Sequence, residues 1–320
     1  MNTIQIEYPT NLPNYELLDS GDGKKLETFS GYTVVRPDPR ALWQKSQGEE
    51  MWNSADARFI RTSSDSGSWN IKRTPPDPWH FRYKDYSFLL RPTDFKHVGI
   101  FPEQAVNWEW MTTQINRCHP ELVEGSRLPT QDSCWSSSRT SMRGRNDNRP
   151  LHILNLFAYT GSVTVVAAKS GAFVTHVDSV KSTISWANEN YRLNDIPTDR
   201  VRWIEDDAYK FVLREGKRGK TYDGLIMDPP RFGRGSKGEV WKLEEDLPKL
   251  LLTCKSILVK KPLFVLINAY TADLSSLVLY HMMHDLMKGC DGTITFGELA
   301  TKEASTDRLL PQGIFARWQC

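Results

Sequence analysis

The stretch Tyr-Asp-Gly-Leu-Ile-Met-Asp-Pro-Pro-Arg-Phe at residues 222–232 contains the residue types best suited to chemistry. Its apolar run, Leu225–Met227, predicts a buried strand that stops at Asp228, because the two prolines that follow cannot donate to a sheet. Asp228 is therefore expected at the carboxyl edge of a sheet, where α/β proteins bind ligands. Its carboxylate could accept hydrogen bonds from an amino group, and Phe232 could offer a flat face to a base. A plain turn between a strand and a helix is the alternative.

Two further predicted strands end in small or polar residues. After Leu151–Leu156 the chain turns into a helix at Gly161, where a missing side chain would let a ligand approach the backbone. The next strand, Phe173–Val177, ends at Asp178, whose position suits a carboxylate that binds a ribose diol. There is no GxGxxG motif, so a dinucleotide pyrophosphate site is poorly supported. The alternative for Asp178 is a residue that only opens the next turn.

A fourth predicted strand, Val201–Ile204, is followed by Asp206 and Asp207. One of the two, for which we favour Asp207, could face the adenine edge of a nucleoside, while the other would cap the next helix. Together with the residues above, this pattern favours an adenosine-containing ligand without a diphosphate. S-adenosylmethionine fits this description better than NAD.

The elements that must position these residues alternate between strand and helix from residue 150 onward. Repeated βα units imply an α/β fold with a parallel sheet and helices on both faces. Thr293–Ala300 and Ile314–Trp318 are expected to pair as a closing hairpin. Residues 150–320 are therefore predicted to form one domain.

The rest of the chain has a different residue composition. Residues 1–97 contain short apolar pieces separated by turns, which predicts a small β-rich domain that could recognise the substrate. Residues 98–149 connect the two regions, with a predicted helix at Phe101–Asn116. Residues 117–149 are rich in Ser and Arg and predict a disordered insertion. An arginine-rich arm that binds RNA is the alternative for this insertion.

Composition limits the possible classes of protein. The chain has 320 residues, 39% of them hydrophobic, and a net charge of +2, so a basic surface would have to be local. Its five cysteines are widely spaced and show no metal-binding pattern. The first residues contain no secretory leader, and no apolar run approaches the ~18 residues that suggest a membrane span. We expect a soluble, cytoplasmic protein without a metal or a membrane partner.

Several motifs resemble those of class I S-adenosylmethionine-dependent methyltransferases. They are NLFAYTG, the HVD strand end, ENYRLN and DPPRFGRGSKGEVWK. They are similar to the family related to the bacterial large-subunit ribosomal RNA cytosine-C5 methyltransferases. The likeness extends to SGDGKKLE, RPDPRALW, LRPTDFKHVGIFPEQAVNWEW and LPQGIFARW, and so covers nearly the whole chain except residues 117–149.

The resemblance implies a Rossmann-like sheet, mostly parallel with an antiparallel C-terminal strand, S-adenosylmethionine as cofactor and RNA as substrate, with ribosomal RNA favoured. It also implies roles for the matched residues. The implied cofactor residues are Asn155, Phe157, Ala158, Thr160 and Gly161 at the methionine end, Asp178 at the ribose, Asp207 at the adenine, and Phe101, Pro102 and Gln104 as a lid. The implied catalytic residues are Asp228, Pro229, Pro230 and Phe232. Separately, the basic loop that follows Asp228 offers Arg231, Arg234 and Lys237 as candidate substrate residues, and a solvated loop is the alternative.

The sequence leaves the methylated atom open. A cytosine-C5 enzyme usually needs a cysteine that adds to the ring, but neither DPPRF nor the predicted strand Leu263–Ala269 contains one, and Cys254 is expected to be buried in a helix. Amino-nitrogen methyltransferases carry an aromatic residue directly after Asp/Asn-Pro-Pro, whereas Arg231 intervenes here. Two alternatives remain: a protein or small-molecule methyltransferase, and a non-catalytic cofactor-binding protein associated with RNA.

Overall fold

A computed structural model describes residues 3–62, 66–118, 150–234, 238, 240–270 and 273–320. In these ranges the strands are β1 (Gln5–Glu7), β2 (Tyr15–Gly21), β3 (Lys24–Phe29), β4 (Tyr32–Pro37), β5 (Ala57–Arg61), β6 (Gly67–Ile71), β7 (His80–Tyr83), β8 (Tyr86–Leu89), β9 (His152–Leu156), β10 (Phe173–Asp178), β11 (Val201–Glu205), β12 (Gly224–Met227), β13 (Phe232–Arg234), β14 (Val240–Lys242), β15 (Phe264–Ala269), β16 (Thr293–Lys302) and β17 (Leu309–Gln319). The helices are α1 (Glu49–Asn53), α2 (Ala105–Cys118), α3 (Ser162–Lys169), α4 (Lys181–Arg192), α5 (Ala208–Lys217), α6 (Leu243–Cys254) and α7 (Ser276–Leu286).

The largest sheet has the strand order β1-β16-β17-β15-β12-β9-β10-β11. Strands β15, β12, β9, β10 and β11 pair in parallel, and β17 lies antiparallel to both of its neighbours. Every residue of β12 and β15 is buried, as expected for strands covered by helices on both faces. The predicted α/β class, mostly parallel with an antiparallel C-terminal strand, is confirmed.

Most predicted elements end within a few residues of the observed ones. The closing hairpin is confirmed, and its strands β16 and β17 are longer than predicted. The helix predicted at Phe101–Asn116 begins as a 3-10 turn at Pro102–Gln104 and continues as α2. Cys254 is buried at the end of α6, as expected, and a 3-10 turn follows it. The predicted insertion lies almost wholly outside the described residues.

The N-terminal region is rich in β-structure, as predicted. Strands β2 to β6 form one sheet in sequence order, and β7 and β8 form a separate hairpin. One cluster of buried side chains joins this region to α2 and the large sheet; it includes Phe88, Trp108 and Ile153. The domain boundary near residue 97 stays a prediction, and the shared core implies that the two regions stabilise each other.

No helix in the described ranges is long and apolar enough to cross a membrane. Among the same residues, the His, Cys, Asp and Glu side chains form no group of three that could hold a metal ion.

The shared core gives a stability prediction. Phe88 is fully buried, and its ring centroid lies 5.6 Å from that of Trp108. Phe88→Ala should lower the free energy of unfolding by about 3–5 kcal/mol, because it removes buried apolar contacts and leaves a cavity. Chemical denaturation measures this change, with Phe95→Ala as the control, since Phe95 is 63% exposed. An equally small effect in both variants would contradict the shared core.

Candidate active site

A cavity of about 600 Å³ opens at the carboxyl edge of the large sheet. Its walls come from the residues after β9, β10, β11 and β12, from the segment before α2, and from the N-terminal sheet. Of the residues predicted for the site, those that line the cavity are Phe101, Pro102, Phe157, Asp178, Asp207, Asp228, Pro229, Pro230 and Arg231. The parallel strands therefore bring most of the predicted chemistry to one place.

Asp228 follows β12 directly, and its Oδ1 atom is buried without a hydrogen-bond partner in the described structure. Burial, reinforced by the nearby carboxyl group of Glu103, raises the pKa of Asp228 to about 8. The carboxyl group is therefore mostly protonated at neutral pH in the free protein. An enclosed acceptor without a partner is costly, and a ligand that donates a hydrogen bond here would remove that cost.

Glu103 and Tyr270 complete the surroundings of Asp228. Glu103 lies in the 3-10 turn before α2, and burial raises its pKa. Tyr270 follows β15, and its hydroxyl accepts a hydrogen bond of 2.6 Å from Gln104 Nε2. Sequence reasoning missed both residues, although Glu103 stands between the predicted lid residues Pro102 and Gln104.

Asp178 ends β10 and is held by backbone and side-chain donors. Its Oδ1 accepts from Val180 N at 2.9 Å and from Thr183 Oγ1 at 3.2 Å, and its Oδ2 accepts from Tyr159 N at 2.9 Å. Burial raises its pKa against the effect of these bonds. A carboxylate oxygen can accept two hydrogen bonds, so Oδ2 keeps one position for a ligand hydroxyl.

Asp206 and Asp207 both line the cavity. Asp207 is the N-cap of α5, because its Oδ1 accepts from Lys210 N at 2.8 Å. Asp206 accepts from Asp207 N at 2.9 Å and forms an ion pair with Arg214. Asp207, which we favoured for the adenine, is therefore the N-cap of α5. Which of Asp206 and Asp207 contacts the adenine stays a prediction.

The loop after β9 contacts the cavity through two residues in an uncommon backbone conformation. Phe157 and Tyr159 have φ angles of 55° and 48°, a region that residues with a Cβ rarely adopt. Such residues cluster at ligand sites. Phe157 packs against Trp241, with ring centroids 4.8 Å apart, so the two form an apolar wall.

Gly161 has a structural role that the sequence did not suggest. A Cβ at this position would lie 2.7 Å from Ala187 Cβ on α4, and its φ is +80°. The glycine therefore permits a left-handed turn and a close approach of two helices. It does not line the cavity, and its expected contact with a ligand stays a prediction.

Asn155, Ala158 and Thr160 do not line the cavity either; all three are buried beneath the loop. Asn155 Nδ2 donates to Thr164 Oγ1 at 2.9 Å, and Thr160 Oγ1 donates to Gly99 O at 2.6 Å. These two hydrogen bonds link β9 to α3 and fasten the loop to Gly99.

The predicted lid is partly observed. The Phe101 ring lies 5.7 Å from the Tyr159 ring and 5.1 Å from the Tyr270 ring, across the cavity. Gln104 points away from the cavity lining and holds Tyr270 and Asn107 instead. Phe101 and Pro102 thus line the cavity, whereas Gln104 bonds to Tyr270 and Asn107, and the role of these residues as a lid stays a prediction.

The residues after Asp228 correct one expectation. Phe232 is 53% exposed in the β13–β14 hairpin and does not line the cavity. Trp241, which sequence reasoning missed, takes the place expected for an aromatic wall, and its Nε1 donates to Pro230 O at 2.7 Å. Arg231 lines the cavity and forms an ion pair of 2.5 Å with Asp273. Lys237 and the Arg234 side chain lie outside the described residues.

Comparison with known proteins decides the family. A family model described as S-adenosylmethionine-dependent methyltransferase matches residues 139–272. A solved structure, the SAM-dependent methyltransferase from Agrobacterium tumefaciens, is 38% identical, with a TM-score of 0.84 and an alignment that covers 98% of this chain and 93% of that one. This protein belongs to the S-adenosylmethionine-dependent methyltransferase family. The predicted cofactor, S-adenosylmethionine, is thereby confirmed.

Curated relatives match a shorter part of this methyltransferase. Ribosomal RNA large subunit methyltransferase K of Neisseria meningitidis serogroup B is 36% identical over 100 residues, which are 31% of this chain and 28% of that protein. Ribosomal RNA large subunit methyltransferase K/L of Pseudoalteromonas translucida is 36% identical over 107 residues, 33% of this chain and 15% of that protein. The match thus spans under a third of each relative.

The described residues fit the cofactor. Asp178 keeps an acceptor for a ribose hydroxyl, Phe157 and Trp241 offer an apolar wall, and the buried Asp228 Oδ1 lacks a donor.

The raised pKa of Asp228 predicts a pH-dependent effect on stability. Since folding favours the protonated carboxyl group, the free protein loses stability as pH rises from about 4, the ordinary pKa, to about 8. Asp228→Asn should therefore raise the melting temperature of the ligand-free protein more at pH 8 than at pH 5. Thermal denaturation checks this, with Asp195→Asn at an exposed position as control. A pH-independent difference would contradict the assignment.

Proposed function

We propose that this methyltransferase is an enzyme that transfers a methyl group from S-adenosylmethionine to RNA, with ribosomal RNA as the favoured class. The observation that carries the proposal is the buried Asp228 Oδ1, which lacks a partner in a cavity that also contains Asp178. The names of the curated relatives support an RNA substrate. An enzyme that acts on ribosomal RNA would be located in the cytoplasm.

The cavity offers positions for each part of the cofactor. We assign Asp178 to the ribose hydroxyls and one of Asp206 and Asp207 to the adenine edge, because these residues follow adjacent strands at the same sheet edge. The strained loop at Phe157 and Tyr159 would contact the methionine end. Phe101 would cover the bound cofactor and exclude water.

S-adenosylmethionine supplies a methyl group on a sulfonium, which a lone pair of the acceptor displaces in line. The chain contributes position and electrostatics. In its deprotonated form, which is the minor form below a pKa of about 8, Asp228 would accept a hydrogen bond from the acceptor group and take up the proton that this group releases. Glu103, whose pKa is raised by burial, keeps the surroundings of Asp228 unfavourable to a second negative charge.

The groups with which Asp228 can form a hydrogen bond limit the possible acceptor atoms. A carboxyl group in this position suits an amino or ring nitrogen that carries or loses a proton. Among the described residues that line the cavity there is no cysteine, so a covalent adduct of the cytosine-C5 type has no candidate there. A base in RNA would have to leave its stack to enter the cavity, and the β-rich region 1–97 would help to select it.

The direct test of the substrate is mass-spectrometric mapping of modified nucleosides in ribosomal RNA from cells with and without the gene. We expect one methylated nucleoside to disappear without the gene and to return when purified protein and S-adenosylmethionine are added. Unchanged ribosomal RNA, together with methylation of a protein or small molecule in a cell extract, would contradict the RNA assignment.

Two substitutions should separate cofactor binding from methyl transfer. Asp178→Ala should weaken S-adenosylhomocysteine binding about tenfold or more, because a hydrogen bond from the ribose to a charged group is lost. Asp228→Ala should slow methyl transfer about 100-fold or more and change that affinity little, because its role is in proton transfer. Calorimetry and a single-turnover assay measure the two effects, with Asp195→Ala as control. An unchanged rate in Asp228→Ala would refute its role.

A further inference from the structure

Three of the family-like motifs outside the methyltransferase sheet meet at one wall of the cavity. SGDGKKLE contributes Lys25, RPDPRALW contributes Arg36 and Arg40, and LRPTDFKHVG contributes Lys96. All four side chains line the cavity. We call these four residues the cation wall. Neither the cofactor positions nor the proton transfer assigned above uses them.

The cation wall has more positive than negative charge. Its carboxylate partners are Glu27, which lies 2.7 Å from Arg36 Nε and 3.2 Å from Lys25 Nζ, and Asp38, which lies 3.2 Å from Arg40 Nε. These cations lower the pKa of Glu27, to about 2, and that of Asp38, so both are charged. These four cations outnumber the two carboxylates with which they form ion pairs. The third nearby carboxyl group, Glu103, has a pKa that burial raises, which favours its neutral form.

Two members of the wall still have donors to offer. Lys96 Nζ donates to Pro37 O at 3.1 Å, and no other acceptor for its remaining hydrogens occurs among the described residues. Arg40 uses Nε for Asp38 and Nη1 for Gln312 O, and its Nη2 has no acceptor in the described ranges. Lys25 and Arg36 are held by carboxylates and contribute mainly their charge. Lys96 and Arg40 could therefore bind one compact anion from two sides.

The pKa of Lys96 is consistent with an excess of positive charge around it. Burial and then the charge of Lys25 lower it to about 8, the direction expected for an ammonium group among other cations. A bound anion would reverse this effect.

The cation wall is next to the corner where the methyl group would be transferred. Glu103, Asp228 and the cation wall line the same cavity, and Glu103 interacts electrostatically with Asp228 and with Lys25 and Arg40. An anion on the wall would therefore belong to a molecule whose other part reaches Asp228.

We infer that Lys96 and Arg40, supported by Lys25 and Arg36, form an oxyanion subsite that holds one end of a reacting molecule beside Asp228. Two sources supply such a group: a phosphate of the RNA substrate and the carboxylate at the methionine end of the cofactor. The first source rests on the proposed function, whereas the second requires only the family's cofactor. Charge-assisted hydrogen bonds from Lys and Arg suit both oxyanions.

The test uses Lys96→Gln and Arg40→Gln, with Lys24→Gln as a control at an exposed position next to Lys25. Affinity is measured for three probes: S-adenosylhomocysteine, 5′-methylthioadenosine, which lacks the amino-acid end, and a transcribed fragment of large-subunit ribosomal RNA. Thermal denaturation shows whether each variant is folded.

If the anion is the cofactor carboxylate, both variants should lose about tenfold or more in affinity for S-adenosylhomocysteine and none for 5′-methylthioadenosine. If the anion is a phosphate, they should lose a similar factor for RNA and keep the affinity for S-adenosylhomocysteine. In wild-type protein, inorganic phosphate should compete with whichever ligand supplies the anion, which gives a readout even if a variant does not fold.

Affinities within twofold of wild type for all three probes, without competition by phosphate, would overturn the subsite and make the wall a purely structural ion cluster. Failure of the proposed function gives a different result. A wild-type protein that binds no RNA, but whose variants lose S-adenosylhomocysteine affinity, would refute the RNA substrate and retain the subsite.

Discussion

Parallel pairing of four neighbouring strands is the constraint on which the cavity depends. Met227 of β12 is paired with Leu156 of β9, Leu156 with Val177 of β10, and Val177 with Ile204 of β11. Because these strands run in one direction and end in register, the residues that follow them meet at one edge. The proposed ribose, adenine and methyl-transfer positions follow from that single arrangement.

The same arrangement explains the unusual state of Asp228. Strand β12 lies between β9 and β15 and is buried throughout, so the first polar residue after it starts in a poorly hydrated place. Two prolines then prevent the chain from turning this residue outward. The lid segment adds a second carboxyl group, Glu103, instead of a cation. Burial and Glu103 thus raise the pKa of Asp228, while the cations lie on another wall of the same cavity.

The sequence predicted the large sheet well, because strand periodicity and Asp-Pro-Pro are local features. It also placed Asp178 and Asp228 at the correct edge. It did not show the contact between Gly161 and Ala187, which depends on how two helices pack. It placed Phe232 in the cavity, whereas the β13–β14 hairpin turns that ring outward and brings in Trp241. Glu103 and the cation wall were missed because their meeting depends on contacts between distant segments.

The central claim is that this cavity binds the cofactor with its sulfur beside Asp228. A crystal structure of the protein with S-adenosylhomocysteine tests it most directly. We predict that the ribose hydroxyls lie within hydrogen-bond distance of Asp178, that the adenine is next to Asp206 or Asp207, and that the sulfur faces Asp228. A ligand bound elsewhere, or bound here with its sulfur directed away from Asp228, would contradict the account.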